Sequence, residues 1–128
     1  MSLLLDTHAL IWWFLDSPRL SNVAREALGA SPGPVYVSAV SAFEIATKVR
    51  LGKLPEAAAL DQAFEAFLIS QALTPLPLTI AHAQHAGGLV IEHKDPFDRL
   101  LIAQALLENL TLVSNERGFD AFGVSRLW

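Results

Sequence analysis

Residues 2–8 read Ser-Leu-Leu-Leu-Asp-Thr-His, and this stretch decides the fold. A short, continuous apolar run that ends at a polar pair is typical of a β-strand buried on both faces. Asp6 and Thr7 then supply side chains that favour the start of a helix. Strands buried on both faces occur in parallel sheets covered by helices, so the stretch predicts an α/β fold.

The rest of the chain alternates apolar runs with helical patterns. Further strands are predicted at 35–37, 76–78, 111–113 and 124–127. Helices are predicted at 8–15, 21–28, 38–51, 57–72, 79–87 and 96–108. Strands that alternate with helices imply right-handed crossovers and a mainly parallel sheet. Because the 128 residues contain no repeat or long linker, we expect one domain over residues 1–128.

The composition is apolar for a chain of this kind, with 52% hydrophobic residues and a mean hydropathy of +0.39. No apolar run approaches the roughly 18 residues that span a bilayer, so we expect no membrane segment. The richest run, at 9–15, is short and follows Asp6 rather than a basic residue, so we expect no signal peptide. The excess apolar surface is expected to lie in a helix-covered sheet or against a partner.

Cysteine is absent, which excludes disulfides and thiolate metal sites and fits a cytoplasmic protein. The net charge of −4 argues against a broad basic surface for nucleic acid. It leaves room for a small site in which a metal ion supplies the positive charge.

Four acids stand at positions where chemistry is plausible. Asp6 ends the first strand, and Glu44 lies about two turns into a helix among apolar neighbours. Asp95 and Asp98 flank the first turn of the helix at 96–108. Each has a structural alternative, since Asp6 and Asp95 suit helix N-caps and Glu44 could complete a capping box with Ser41.

If these acids lie close together in the fold, helix capping alone does not explain them. Two unit charges at about 4 Å repel by ~4 kcal/mol at an effective dielectric near 20, whereas a helix terminus returns only ~0.3–1 kcal/mol per acid. Clustered carboxylates therefore need a cation or raised pKa values. Oxygen ligands without cysteine favour Mg²⁺ or Mn²⁺ over zinc.

Three segments resemble the PIN-domain family and, more closely, the VapC-type ribonuclease toxins of toxin–antitoxin pairs. They read LLDTHAL at 4–10, SAVSAFEI at 38–45 and DPFDRLLIAQA at 95–105. The resemblance extends from Leu3 to Trp128. It implies a PIN-like three-layer α/β/α fold with a mainly parallel sheet of four to five strands. It also implies a metal-dependent endoribonuclease.

The resemblance assigns site residues by position. Its catalytic acids match Asp6, Glu44, Asp95 and Asp98. Glu116 stands where the family commonly has an aspartate, and its extra methylene is expected to displace the carboxylate. The expected metal ligands are Asp6, Asp95, Asp98 and Glu116, and the expected substrate-binding residues are Thr7, Arg99, Ser114 and Asn115.

The function expected from these residues is hydrolysis of RNA by water that Mg²⁺ or Mn²⁺ activates. The expected partners are RNA, a small antitoxin protein and a second copy of the chain, with no membrane. One alternative is a catalytically weak PIN-like module that binds RNA or protein, which Glu116 would explain. Another is a small phosphohydrolase with Asp6 as its nucleophile.

Overall fold

The computed structural model describes residues 2–128. The strands are β1 (Leu3–Leu5), β2 (Val35–Ser38), β3 (Thr74–Leu76), β4 (Thr111–Val113) and β5 (Arg126–Leu127). The helices are α1 (Thr7–Phe14), α2 (Asn22–Ala30), α3 (Ala39–Arg50), α4 (Ala58–Gln62), α5 (Phe64–Ser70), α6 (Ile80–Gly88) and α7 (Pro96–Leu107). Two 3-10 turns lie at Pro55–Ala57 and Arg117–Phe122.

The five strands form one sheet in the order β3-β2-β1-β4-β5, and every adjacent pair is parallel. In the centre, Leu4 lies opposite Tyr36 on one side and Leu112 on the other. The predicted α/β fold with a mainly parallel sheet of four to five strands is confirmed. Because all connections are crossovers, helices cover both faces of the sheet.

Successive leucines of β1 enter opposite cores. Leu3 and Leu5 join the cluster that contains Leu10 of α1 and Ile45 of α3. Leu4 joins the cluster on the other face, with Leu101, Ile102 and Leu112. None of the three β1 leucines is exposed, and each contributes ~1.5–3 kcal/mol by its burial. This alternation produces the three layers.

The helix predicted at 57–72 is interrupted. A 3-10 turn precedes α4, and Ala63, with φ −127° and ψ 34°, separates α4 from α5. The sequence here contains no glycine or proline after Pro55, so tertiary packing decides the interruption. Leu60 of α4 and Leu68 of α5 both enter the core on the same side of the sheet.

Two other departures occur late in the chain. β3 begins at Thr74 rather than at 76, and β5 is limited to Arg126–Leu127. The 3-10 turn at Arg117–Phe122 was not predicted, because only Phe119 within it is buried and its apolar pattern is too short to detect. Within residues 2–128, no helix combines the length and the apolar character needed to cross a bilayer.

Arg99 fastens the loop between α6 and α7. Its guanidinium donates hydrogen bonds at 2.6–3.5 Å to five main-chain carbonyls, those of Ala86, Gly87, Leu89, Ile91 and His93. The planar fork of arginine suits such a set of acceptors, whereas lysine could not span them. The loop that leads into α7 is therefore anchored to the first turn of that helix.

We expect Arg99→Gln to lower the free energy of unfolding by ~2–3 kcal/mol, because hydrogen bonds from a charged donor are worth ~1.5–3 kcal/mol. Urea denaturation measures the change. Arg50→Gln, an exposed position at the end of α3, is the control and should change stability by less than ~1 kcal/mol. Equal effects of the two substitutions would contradict the anchoring role of Arg99.

Candidate active site

One cavity of about 140 Å³ collects the predicted acids. It lies where β1 and β4 end and where α1 and α7 begin. Its walls are Asp6, Thr7, His8, Glu44, Lys48, Asp95, Asp98, Asn115, Glu116 and Phe119. All four acids predicted to be catalytic, together with Glu116, thus face the same space. In parallel α/β folds, ligands bind at the carboxyl ends of the strands, which is where this cavity lies.

Asp6 is buried in the cavity, with 8% of its surface exposed. It is the N-cap of α1, and its Oδ1 accepts a hydrogen bond of 2.7 Å from the Ala9 N–H. Burial raises the pKa of Asp6 to about 6, although hydrogen bonds from the Ser114 side chain and the Ala9 backbone oppose that rise. The carboxylate is therefore held in place while its charge is poorly solvated.

Glu44 is buried on α3 and is held at both oxygens. The Thr7 hydroxyl donates to Oε1 at 2.6 Å, and the Lys48 ammonium donates to Oε2 at 2.5 Å. The capping box with Ser41 is wrong, because α3 begins earlier and Ser38 is its N-cap, accepting from the Val40 N–H. A glutamate this far inside a helix needs partners from other residues, and it has two.

Asp95 and Asp98 stand at the start of α7. Asp95 is the N-cap, as predicted, and its Oδ1 accepts from the N–H groups of Phe97 and Asp98 at 2.9 and 3.2 Å. Asp98 Oδ2 lies 2.9 Å from His93 Nε2. Burial raises the pKa of Asp98, the His93 hydrogen bond opposes that rise, and the neighbouring charge of Asp95 adds to it.

Glu116 and Asn115 lie at the exposed rim of the cavity. Glu116 caps the 3-10 turn at Arg117–Phe122, with its Oε1 accepting from the Gly118 N–H at 3.0 Å. A Cβ at position 118 would stand 3.0 Å from that same oxygen, so a side chain there would disturb the cap. The longer side chain of glutamate is thus accommodated by curling back onto its own turn.

Two predicted substrate-binding residues are placed elsewhere. Arg99 is absent from the cavity wall, and its guanidinium is engaged by the loop carbonyls described above. Ser114 is fully buried, and its hydroxyl accepts from the Glu116 N–H at 3.0 Å. Arg99 therefore anchors a loop, and Ser114 acts on Asp6 from behind the cavity rather than on a ligand inside it.

Two functional contacts were missed in the sequence. Lys48 follows Glu44 by four residues, which is the spacing of an ion pair on a helix and is the signal that could have found it. His93 shows no metal-ligand spacing in the sequence. Its contacts with Asp98, Phe119 and Phe122 depend on how the loop between α6 and α7 folds, so the sequence does not predict them.

The donor set fits a hard divalent cation. It consists of carboxylates and one amide, which suit Mg²⁺ or Mn²⁺. A cation would also favour the charged form of Asp6, whose pKa burial raises to about 6. Within residues 2–128, however, no three acidic or histidine side chains stand close enough to enclose an ion. The acids therefore line one cavity, but their carboxylates are hydrogen-bonded to groups of the protein rather than directed at a common point.

Asp6→Asn is expected to stabilise the metal-free protein above pH 6. A folded pKa of about 6 against an ordinary 3.8 means that the folded state retains a proton that the unfolded state loses between those values. The charged Asp6 then destabilises the fold by up to ~3 kcal/mol above pH 6 and contributes nothing below pH 3.8. Asparagine removes the charge and still caps the helix.

Urea denaturation in EDTA at pH 8 and pH 4 measures this effect. The variant should be more stable than the wild type at pH 8, and the difference should vanish at pH 4. Glu26→Gln, an exposed acid on α2, is the matched control and should show little difference at either pH. A pH-independent effect of Asp6→Asn would exclude charge burial as its cause.

The sequence and the fold are both similar to those of known proteins. The sequence model of the PIN domain matches residues 3–124. The crystal structure of VapBC2 from Rickettsia felis, bound to a promoter DNA fragment, is similar with a TM-score of 0.67 and 19% identity, covering 98% of this chain and 97% of that one. No curated protein sequence matches significantly.

Two further structures share the fold. VapC20 of Mycobacterium tuberculosis, a toxin that cleaves the sarcin–ricin loop, has a TM-score of 0.69 and 15% identity, with 95% of each chain covered. FitAcB from Neisseria gonorrhoeae has a TM-score of 0.67 and 23% identity, covering 97% of this chain and 95% of that one. At these identities the likeness concerns the fold.

Proposed function

The chain belongs to the PIN-domain family, and from that premise we propose that it is an endoribonuclease that depends on Mg²⁺ or Mn²⁺ and hydrolyses RNA phosphodiester bonds. The observation that carries the proposal is the convergence of Asp6, Glu44, Asp95 and Asp98 on one cavity. Four carboxylates that share a cavity repel one another, and a bound cation relieves that repulsion. The same cation would supply the activated water for phosphodiester hydrolysis.

In this proposal Asp6, Asp95 and Asp98 would hold the metal, together with Glu116 at the rim of the cavity. A bound Mg²⁺ would lower the pKa of a coordinated water and offset the charge that develops on the phosphate. His93 orients Asp98 through their contact at 2.9 Å. Ser114 supports Asp6 from behind by its side-chain hydrogen bond.

Glu44 and Thr7 form a buried part of the cavity wall. Thr7 holds Glu44 through the 2.6 Å hydrogen bond and also lies 3.0 Å from the Ser41 hydroxyl. This arrangement fixes the direction of the Glu44 carboxylate, which would contact a bound metal directly or through water. Asn115, exposed at the rim, is available to contact the RNA strand.

We further propose that the protein is the toxin of a toxin–antitoxin pair and acts in the cytoplasm. Support comes from the folds that it shares with VapBC2, a toxin–antitoxin complex from Klebsiella pneumoniae and VapBC-1 of Haemophilus influenzae. An apolar cavity of about 370 Å³ between α3, α5 and β3 offers a groove for a small antitoxin protein.

Asp6→Asn and Asp95→Asn are expected to abolish Mg²⁺-dependent cleavage of single-stranded RNA, because each removes a metal-binding charge. Electrophoresis of a labelled oligonucleotide measures cleavage, and thermal unfolding across a Mg²⁺ series measures binding. In the wild type, Mg²⁺ at 100 times its dissociation constant should add ~2.7 kcal/mol of stability. The asparagine variants should gain little.

Glu26→Gln is the control and should cleave RNA like the wild type. Full activity of Asp6→Asn would overturn the assignment of the site. RNA binding without cleavage, together with no stabilisation by Mg²⁺, would instead favour the catalytically weak binding module.

We also propose a homodimer, because several large apolar side chains are exposed on the isolated chain. Ile80 and Val90 are 87% and 97% exposed, and a dimer interface that covered them would remove this apolar surface from water. Sedimentation equilibrium should give twice the chain mass of 13.9 kDa. A chain that stays monomeric at high micromolar concentration would contradict this.

A further inference from the structure

Lys48 extends from α3 into the acid cavity. Its ammonium lies 2.5 Å from Glu44 Oε2 and 5.8 Å from the centre of the Phe97 ring. Its side chain is 29% exposed, so the nitrogen is reachable from the cavity. Among the described residues that line this cavity, Lys48 is the only lysine or arginine.

The position of Lys48 is fixed by a buried carboxylate. The Glu44 side chain is 6% exposed, and Thr7 holds its other oxygen at 2.6 Å. An ordinary ion pair on a helix surface is worth ~0.3–0.5 kcal/mol and leaves both side chains mobile. Here the Glu44 carboxylate is buried and held by Thr7, so its ion pair fixes the position of the Lys48 ammonium at the cavity.

The ammonium retains donors for a ligand. A lysine has three N–H donors, and within residues 2–128 Glu44 is its only hydrogen-bond acceptor. The ammonium also makes a cation–π interaction with the face of Phe97, which is not a conventional hydrogen bond. Lys48 lines a cavity whose other residues are five acids, Thr7, His8, Asn115 and Phe119, so its remaining donors are available to a ligand there.

We propose that Lys48 is the phosphate-binding residue of the site and donates a hydrogen bond to a non-bridging oxygen of the RNA phosphodiester to be cleaved. The inference rests on the proposed ribonuclease function and deepens it. A phosphate is repelled by the acids around it, and Lys48 is the protein cation placed to offset that repulsion. Glu44 keeps the lysine directed at the phosphate throughout.

The proposal separates RNA binding from metal binding. Lys48 and a divalent cation are both stabilised by the same carboxylates, so they oppose each other electrostatically. Removing the lysine charge should weaken RNA binding and leave metal binding equal or tighter. A purely structural role for Lys48 would weaken both together, because it would disturb the whole cavity.

The test measures binding of a fluorescent single-stranded RNA in EDTA, where cleavage does not interfere, over a series from 50 to 200 mM KCl. Lys48→Met should bind about tenfold more weakly at the lowest salt. The slope of log K against log salt should fall by about 0.7, as expected for one lost phosphate contact on a single strand. Lys48→Arg, which keeps the charge, should restore most of the affinity.

Lys53→Met is the matched control, because Lys53 is exposed beyond the end of α3 and lies outside the cavity wall. Its salt slope should match that of the wild type. Thermal unfolding with added MgCl₂ gives the metal affinity, which in Lys48→Met should equal or exceed that of the wild type. If Lys48→Met does not fold because Glu44 is left unpaired, Glu44→Gln with Lys48→Met removes both charges and replaces it in the RNA assay.

An unchanged salt slope in Lys48→Met, or equal losses in Lys48→Met and Lys53→Met, would overturn the role of Lys48. That result can occur in a wild-type protein that cleaves RNA with Mg²⁺, in which case the proposed function stands. Failure of the wild type to cleave RNA overturns the function, while the salt slopes still decide whether Lys48 contacts phosphate. Failure of the wild type to bind RNA overturns both.

Discussion

Leu3, Leu4 and Leu5 lie in the centre of the sheet without exposed surface, and their burial determines where Asp6 stands. A strand that is hydrogen-bonded on both edges and packed on both faces cannot shift in register without exposing leucine. Asp6 is therefore fixed at the carboxyl edge of the sheet, largely removed from water. Burial raises its pKa to about 6, and the rest of the site is arranged around this one poorly solvated carboxylate.

The acids of the cavity are held by different donors. Asp6 and Asp95 accept from helix N-termini, Glu44 from Thr7 and Lys48, and Asp98 contacts His93. These contacts explain how the acids can share a cavity of about 140 Å³ without unfolding it. Because the carboxylates point toward these donors, no three acidic or histidine side chains among residues 2–128 are arranged to hold a metal ion. Metal binding would have to replace some of these hydrogen bonds.

The cavity divides into two sides with different character. One side consists of Glu44 and Lys48 of α3 together with Thr7 of α1, and short hydrogen bonds connect the three residues. The other side, with Asn115 and Glu116, is exposed and belongs to a turn. A substrate strand would approach from the exposed side and meet the fixed side, where the lysine stands. Arg99 supports this arrangement from a distance, because it anchors the loop that carries His93.

The sequence by itself determined the parallel α/β fold, most of the helix and strand positions, and the acids that share the cavity. The fold and its elements follow from local signals, namely apolar periodicity and helix caps. The grouping of Asp6, Glu44, Asp95 and Asp98 was expected from the resemblance to the PIN-domain family. Only the tertiary structure decided that the Glu44–Lys48 pair lines the acid cavity, that His93 meets Asp98, and that Arg99 binds loop carbonyls rather than a phosphate. It also divided the helix at Ala63. The physical reason is that these outcomes depend on which groups compete for the same donor or the same core volume, and that competition is settled only when distant segments pack together.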